Sequence, residues 1–375
     1  MFFHLILTNE CNLKCKYCFG EVVEDFEENF EDLNIDYQLP KNASYDYKHL
    51  KRFCDKDKEC VLTFYGGEPL LCIHSIKKIM DLTFPKFFMI QTNGVFLDKL
   101  DSAYVNRFHT ILVSIDGNES LTNHYRGKNV YKKIIDNLKL ITRNNFQGEL
   151  IARMTVMEKT DIFKQVRWLL ENKDFKFTSV HSQLNAGFWG TDYEKRDFEN
   201  WSNNSYIPGI KKLVKYWVNH MISDNEVLKI YPFLGIANSF LFGEEKSFLR
   251  CGGGWINYTI QTDGYIIPCP TMWGMKKYYL GNIKDSNPLN LTKIPIELSP
   301  CIDCDIFGLC GGRCLYANIT KRWGKEAYEQ VCKNTREVIE SVKIEIPDIK
   351  KIIDSKKISL KNFEFMKYNG CEIIP

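Results

Sequence analysis

The sequence has no run of 18 or more apolar residues, which leaves it without a candidate spanning helix. Its most apolar stretch, Tyr231 to Gly243, is too short and is interrupted by Asn238 and Ser239. The opening Met1-Phe2-Phe3-His4-Leu5 lacks a basic n-region, so no secretory signal is expected and the chain is placed in the cytoplasm with no membrane partner. Charge of one sign is not in excess either. Fifty basic against 47 acidic side chains leave a formal +3, too little to indicate nucleic acid or an anionic surface. There is no internal repeat, and only ten residues precede Cys11, so no separate docking domain is expected ahead of the core. What remains is an ordinary globular composition, 44% hydrophobic and 26% charged over 375 residues. That is enough for two or three domains and a core that needs no staples.

Cysteine is what the chain has in quantity. There are 14, and in a reducing compartment patterned cysteines point to metal or catalysis rather than disulfides. Ten of them fall in two groups. The first is Cys11-x3-Cys15-x2-Cys18; the second runs Cys251, Cys269, Cys301, Cys304, Cys310, Cys314 and Cys332. Three thiolates in one short loop leave a position open, which for an iron–sulfur cube means one iron free to bind something else. A structural zinc would want a fourth Cys or His at finger spacing, and the loop holds neither. Seven cysteines are too many for one tetrahedral site. They suit two clusters, one of four thiolates and one of three, with two zinc sites of a ribbon type as the alternative. Of the rest, Cys54, Cys60 and Cys72 are expected to be core thiols. Cys371 is expected in a mobile tail, with a role as fourth ligand to the open, three-thiolate cluster as the alternative.

The string Thr8-Asn9-Glu10-Cys11-Asn12-Leu13-Lys14-Cys15-Lys16-Tyr17-Cys18-Phe19, directly after a first apolar strand, resembles the radical S-adenosylmethionine (SAM) superfamily. The ordered seven-cysteine group resembles the C-terminal SPASM extension, which carries two auxiliary clusters. Together these motifs cover residues 1 to 180 and 251 to 335. Within the superfamily the chain is most similar to archaeal-type orphan maturases that modify peptides or proteins, related to the anaerobic sulfatase maturases. The resemblance implies three [4Fe-4S] clusters, one binding SAM and two auxiliary. Their charge, about −4 in all, would take the +3 to roughly −1, so the basic balance is no nucleic-acid signal.

Along the chain, Met1 to Leu7 reads as a strand buried on both faces. Residues Glu21 to Asp36 hold eight acidic side chains and no basic one. They read as a solvated segment or, more sharply, as an acidic flap over a substrate peptide. Strands are then expected at Val61–Tyr65, Phe87–Gln91, Thr110–Ile115, Leu150–Met157 and Phe175–Val180. Helices are expected from Ser44 to Cys54, after Pro69, at Val130–Ile141, Phe163–Leu170 and Ile210–His220. Alternating strands and helices give an α/β fold with a parallel sheet. Periodicity does not separate a barrel from a doubly wound sheet; the resemblance implies a partial (β/α)6 TIM-like barrel with a C-terminal cysteine-rich auxiliary iron–sulfur (SPASM) domain. The expected division is a core at 1–180, a bridging helical region at 181–250, the SPASM domain at 251–335, and a C-terminal helix and tail at 336–375.

The resemblance also assigns roles. Cys11, Cys15 and Cys18 hold the catalytic cluster, whose open iron takes the amine and carboxylate of SAM; reductive cleavage releases a 5′-deoxyadenosyl radical that abstracts hydrogen from substrate. Gly66-Gly67-Glu68-Pro69, after the second strand, resembles the motif that binds the SAM amine. Its glycines allow a tight turn and its proline suits a first helical turn. Ser114 and Asp116 project on the same side of a strand end, where the resemblance suggests ribose contacts, with turn capping as the alternative for Asp116. Arg153 lies inside the apolar Ile151-Ala152-Arg153-Met154 and needs a partner; the resemblance suggests the SAM carboxylate, and an ion pair at the strand end is the alternative. Asn93, with Gln91, Thr92 and Gly94, is expected to line the same cavity, and Arg126 to contact SAM or substrate. The resemblance gives Cys251, Cys269 and Cys314 to the first auxiliary cluster and Cys301, Cys304, Cys310 and Cys332 to the second. The sequence departs from the sulfatase-maturase branch twice: residues 252 to 262 contain no further cysteine, and Pro270 follows Cys269 where that branch has an aspartate base. An open iron in the first auxiliary cluster is expected, and formylglycine formation by that route is not.

The function expected is therefore a radical SAM enzyme acting on a peptide or protein, with a low-potential electron donor such as ferredoxin or flavodoxin. Trp189, Trp201, Trp255 and Trp273 are candidate groove or core residues. The alternative is a small-molecule or RNA-modifying radical SAM enzyme. RNA would call for a concentrated basic patch or a binding module, whereas the lysines at 346 to 357 read as a solvated helix face. A zinc-stabilised interaction protein would leave the Gly-Gly-Glu-Pro turn, Ser114 and Arg153 without a purpose.

Overall fold

Strand β1 (Phe2–Thr8) buries Phe3, Leu5, Ile6, Leu7 and Thr8, as a strand covered on both faces must. The computed structural model describes every residue except 19–33, 188–192, 244–247 and 297–298. Most of the acidic segment and Trp189 therefore lie outside the described residues. Of that segment, Asp36 donates its N–H to the Gly274 carbonyl and pairs with Lys276 at 3.2 Å. The chain divides into two compact units, one of residues 1–115, 122–151 and 252–295, the other of 116–121, 152–251 and 296–375.

The first unit is built on a parallel sheet. β1 pairs with β2 (Val61–Gly66), β2 with β3 (Phe87–Thr92) and β3 with β4 (Phe108–Ser114). Helices Tyr47–Cys54, Ile73–Leu82 and Val130–Arg143 each bury one apolar stripe. Asp46, not Ser44, caps the first of them, accepting from the Lys48 N–H; Ser44 instead bonds the Thr262 carbonyl. Strand β5 (Glu149–Val156) starts in this unit and ends in the second.

The free edge of β1 is taken by β8 (Asn257–Ile260), parallel and in register from Phe2↔Asn257 to Leu5↔Ile260. β9 (Ile266–Ile267) then turns back antiparallel on β8. His4 faces this junction, with Nδ1 3.0 Å from Asn257 Oδ1 and its ring edge-on to Tyr65. Residues 252–295 thus complete the sheet of the first unit, and the two units cut across the four segments expected from the sequence.

The second unit holds β6 (Ser179–Leu184), paired in parallel with β7 (Lys229–Ile230). Helices Ile207–Asp224, Tyr231–Phe242 and the long Gly324–Asp354 pack on one another. Trp217 is fully buried there and donates its indole N–H to the Leu228 carbonyl. The expected strand at Phe175–Val180 begins only at Ser179. The Asn172 amide oxygen accepts from the N–H groups of Asp174 and Phe175, and its NH2 donates to the Trp168 and Phe175 carbonyls. This Asx turn holds the chain curled where the aromatic pattern read as extended. The last helix starts at Gly324 rather than beyond 335, so Cys332 sits on it. The tail is not mobile: Cys371 and Glu372 are almost wholly buried, as are Ile373 and Ile374. Among the described residues no helix is long and apolar enough to cross a membrane.

Candidate active site and metal centres

The Cys11–Cys18 loop leaves β1 at its C-terminal end, the end at which barrel enzymes place their chemistry. Cys11 and Cys18 are exposed and Cys15 half-buried. The loop is held by backbone. Cys18 donates to the Cys15 carbonyl and Lys16 to the Tyr125 carbonyl, both at 2.9 Å. The Leu13 N–H lies 3.4 Å from Cys11 Sγ, and Asn93 Nδ2 lies 3.7 Å from the same sulfur. The Arg126 guanidinium stands over the Tyr17 ring at 5.4 Å, a cation–π contact that ties the loop to helix Glu119–Arg126.

The Gly66–Pro69 turn lies directly against this loop. Gly67 donates to the Thr8 carbonyl and Glu68 to the Glu10 carbonyl. A Cβ on Gly66 would stand 2.2 Å from the Thr8 carbonyl oxygen, and one on Gly67 2.2 Å from that of Glu10. Only glycine permits two backbones to approach so closely. Pro69 opens a short 3-10 turn that leads into the next helix. Glu68 is fully buried. One carboxylate oxygen accepts from Leu70 N–H (2.9 Å) and the Thr92 hydroxyl (2.7 Å), the other from Asn93 N–H (2.7 Å). Burial nonetheless pushes its pKa up to about 7. Glu68 therefore clasps the ends of β2 and β3 beneath the cysteine loop. Asn93, oriented by that clasp, sends its side chain to Cys11 and to Asn12 Oδ1 (2.8 Å). Ser114 ends β4 half-buried.

In the second unit Asp116 is buried and accepts from the Thr155 N–H of β5 at 3.1 Å, a bond to the neighbouring strand rather than a cap on its own turn. Arg153 is satisfied within its own unit: Nη1 meets His181 Nδ1 and the Gly370 carbonyl, each at 2.8 Å, and Nη2 donates to Gln183 Oε1 at 2.7 Å. Burial, and then the neighbouring guanidinium, drive the His181 pKa well down, so its ring is neutral and accepts from Arg153. None of these three partners was legible in the sequence, because β6 and the tail reach Arg153 only through the fold.

Cys301, Cys304, Cys310 and Cys332 line one cavity, and Cys314 reaches the same wall. Gly311, Gly312 and Arg313 all take positive φ, curling the chain so that the N–H groups of Gly312 and Arg313 face the Cys310 sulfur. Burial, and then the Cys301 thiol, push Cys310 up to about 11. Thiols that hinder each other's ionisation are relieved by a cation among them, so the donor set suits a metal centre. Among the described residues no three Cys, His, Asp or Glu side chains converge as one metal ion requires. A four-iron cube, in which each thiolate binds its own iron, asks that four sulfurs line one cavity, as those of Cys301, Cys304, Cys310 and Cys332 do. Cys269 Sγ lies 2.8 Å from the Thr271 hydroxyl, and Cys251 is half-buried. Cys54 and Cys60 are buried and Cys72 half-buried.

The sequence reading missed Asn318, Tyr328 and Arg336. Tyr328 Oη is 3.0 Å from Cys301 Sγ, Asn318 Oδ1 is 3.3 Å from the same sulfur, and Arg336 Nη2 is 3.7 Å from Cys304 Sγ. The signal was present: Tyr328, Cys332 and Arg336 are spaced by four along one helix, which puts them on one face.

Residues 5–163 match the family model described as Radical SAM superfamily. The chain is 24% identical over 360 residues to a cysteine-type anaerobic sulfatase-maturating enzyme of Clostridium perfringens, covering 89% of this chain and 93% of that protein. It is 25% identical over 351 residues to the radical SAM cyclopropyl synthase TigE of Paramaledivibacter caminithermalis, covering 86% and 69%. Among solved structures it resembles native anSMEcpe with bound AdoMet and Kp18Cys peptide, with a TM-score of 0.71 at 20% identity, over 93% of this chain and 99% of that one. The fold is accordingly an α/β partial barrel with a mostly parallel sheet.

Proposed function

Because residues 5–163 form a radical SAM domain, with the SAM and [4Fe-4S] requirement that this carries, we propose that the chain is a radical SAM enzyme that modifies a peptide or protein. The observation that carries the substrate class is the length of the likeness. It runs well past the radical SAM domain, over 89% of the chain, to a protein-maturing enzyme, and nearly as far to TigE.

In this reading Cys11, Cys15 and Cys18 hold the catalytic cluster. Bound there, the cluster and SAM would supply a 5′-deoxyadenosyl radical. The chain's own residues do the rest. Gly66 and Gly67 let the turn lie flat against the cysteine loop, and Glu68 fixes Asn93 beside Cys11. The Gly66–Pro69 turn, Asn93, Ser114 and Arg126 are the proposed SAM contacts of the first unit. For Asp116 and Arg153, whose polar atoms are engaged within the second unit, we propose support rather than contact. Cys301, Cys304, Cys310 and Cys332 would hold one auxiliary cluster, and Cys251, Cys269 and Cys314 would serve the other, within a SPASM domain at 251–335. A ferredoxin or flavodoxin would supply the electron. The formylglycine route stays outside the proposal, because Pro270 stands where its base would be.

The test is anaerobic incubation of reconstituted protein with SAM and a low-potential reductant, followed by mass spectrometry. Formation of 5′-deoxyadenosine, abolished by Cys15→Ala, supports the reading, as does its acceleration by peptide together with a change in peptide mass. Absence of 5′-deoxyadenosine from iron-loaded protein would overturn it.

A further inference from the structure

We propose that Tyr328 and Arg336 raise the reduction potential of the cluster held by Cys301, Cys304, Cys310 and Cys332, by donating hydrogen bonds to two of its sulfur ligands. The inference rests on the auxiliary-cluster part of the proposed function and goes beyond it.

Helix Gly324–Asp354 presents Tyr328, Cys332 and Arg336 at successive turns, and all three line the thiol cavity. One ligand thus carries a donor one turn before it and another one turn after it, and each reaches a different sulfur. Tyr328 Oη lies 3.0 Å from Cys301 Sγ and donates to Asn318 Oδ1 at 2.7 Å. The Asn318 amide is locked the other way round, its NH2 donating to the carbonyls of Gly312 and Cys314, so its oxygen faces Tyr328 and Cys301. As a thiol, Cys301 has a proton to give that oxygen. As an iron-bound thiolate it has none and can only accept. Of these three groups, only the Tyr328 hydroxyl then has a proton, and it is shared between the Asn318 oxygen and the thiolate, whose negative charge draws it toward the sulfur.

Arg336 is held just as firmly. Its two terminal nitrogens grip the Asp305 carboxylate at 2.8 and 2.6 Å, which leaves Nη2 3.7 Å from Cys304 Sγ. The Asp305 pairing fixes the guanidinium plane and offsets most of its net charge, so its effect on the sulfur comes through the directed N–H. An electron added to a cluster spreads negative charge onto its sulfurs. A donor aimed at a sulfur therefore stabilises the reduced form more than the oxidised one, and the potential rises.

The experiment is a redox titration followed by electron paramagnetic resonance on the full, iron-loaded chain. Cys11, Cys15 and Cys18 are replaced by Ala so that only auxiliary clusters give a signal. Tyr328→Phe removes the hydroxyl and keeps the ring. The expected result is one auxiliary midpoint moved to more negative potential by about a tenfold change in the reduced-to-oxidised ratio, about 59 mV for one electron, with iron content and the other midpoint unchanged. Arg336→Met should move the same midpoint in the same direction. Unchanged midpoints at full iron content would overturn the proposal. Loss of iron on Tyr328→Phe would also overturn it, because the hydroxyl would then serve assembly rather than potential. Failure of the underlying reading looks different: Cys304→Ala with Cys332→Ala would leave iron content and spectra untouched.

Discussion

Glu68 is expected to set a measurable pH dependence in the first unit. Its carboxyl is enclosed with three donors and no countercharge among the hydrogen bonds it accepts. Two effects compete. The donors favour the ionised form, and burial disfavours it; burial wins and takes the group from an ordinary 4.5 to about 7. Between those values the folded state holds a proton that the unfolded chain has released. Stability from this group is therefore fully present below about 4.5 and is lost as pH rises through about 7. The amount is about 3 kcal/mol, which in a unit of this size is a fall in Tm of roughly 6 to 12 °C. The assay is thermal unfolding of wild type and Glu68→Gln from pH 5 to 8 at constant ionic strength. Wild type should lose stability across this range, and the glutamine variant should lack that component. Thr92→Val, which removes one donor from the carboxylate, should move the transition to higher pH. Parallel wild-type and Glu68→Gln profiles would refute the reasoning: the three donors would then outweigh burial and keep the carboxylate charged throughout.

Gly67→Ala puts a methyl group 2.2 Å from the Glu10 carbonyl oxygen, against backbone that has no rotamer to change. It should cost about 1–3 kcal/mol and weaken SAM binding at least tenfold by equilibrium dialysis. Arg153→Met leaves the half-buried Gly370 carbonyl and Gln183 without this donor, at about 1 kcal/mol for each. Tryptic cleavage after Lys367 should quicken while SAM affinity holds; a loss of affinity with the tail still protected would make Arg153 a ligand contact. Stripping iron anaerobically should lower the melting temperature of the second unit, because a metal centre bound by the folded thiols adds its binding free energy to stability, and iron with sulfide should restore it.

The cysteine loop and the first strands were legible because each announces itself locally, by fixed spacing or by a continuous apolar run. The Gly-Gly-Glu-Pro turn was legible as a site, but its division of labour was not. That Glu68 clasps Thr92 and Asn93 depends on a neighbouring strand that spacing does not place. β8 escaped notice because Asn257–Ile260 is too short to show a period, and its partner lies some 250 residues earlier. The sixth strand was placed early because Phe175 and Phe177 look like strand residues, while the Asn172 turn that curls them is a side-chain effect. Arg153 was recognised as a charge in need of partners; which partners was settled by β6 and by the buried tail. Tyr328 and Arg336 were within reach of helical spacing once Cys332 was put on a helix, and the boundary drawn at 335 hid that.

The account rests most directly on three clusters, and counting iron, acid-labile sulfide and zinc per chain on anaerobically reconstituted protein tests it. About twelve iron and twelve sulfide are predicted for wild type, and about eight of each once Cys11, Cys15 and Cys18 are replaced by Ala. About four iron with zinc present would contradict it, leaving a radical SAM core beside a C-terminal region organised by zinc.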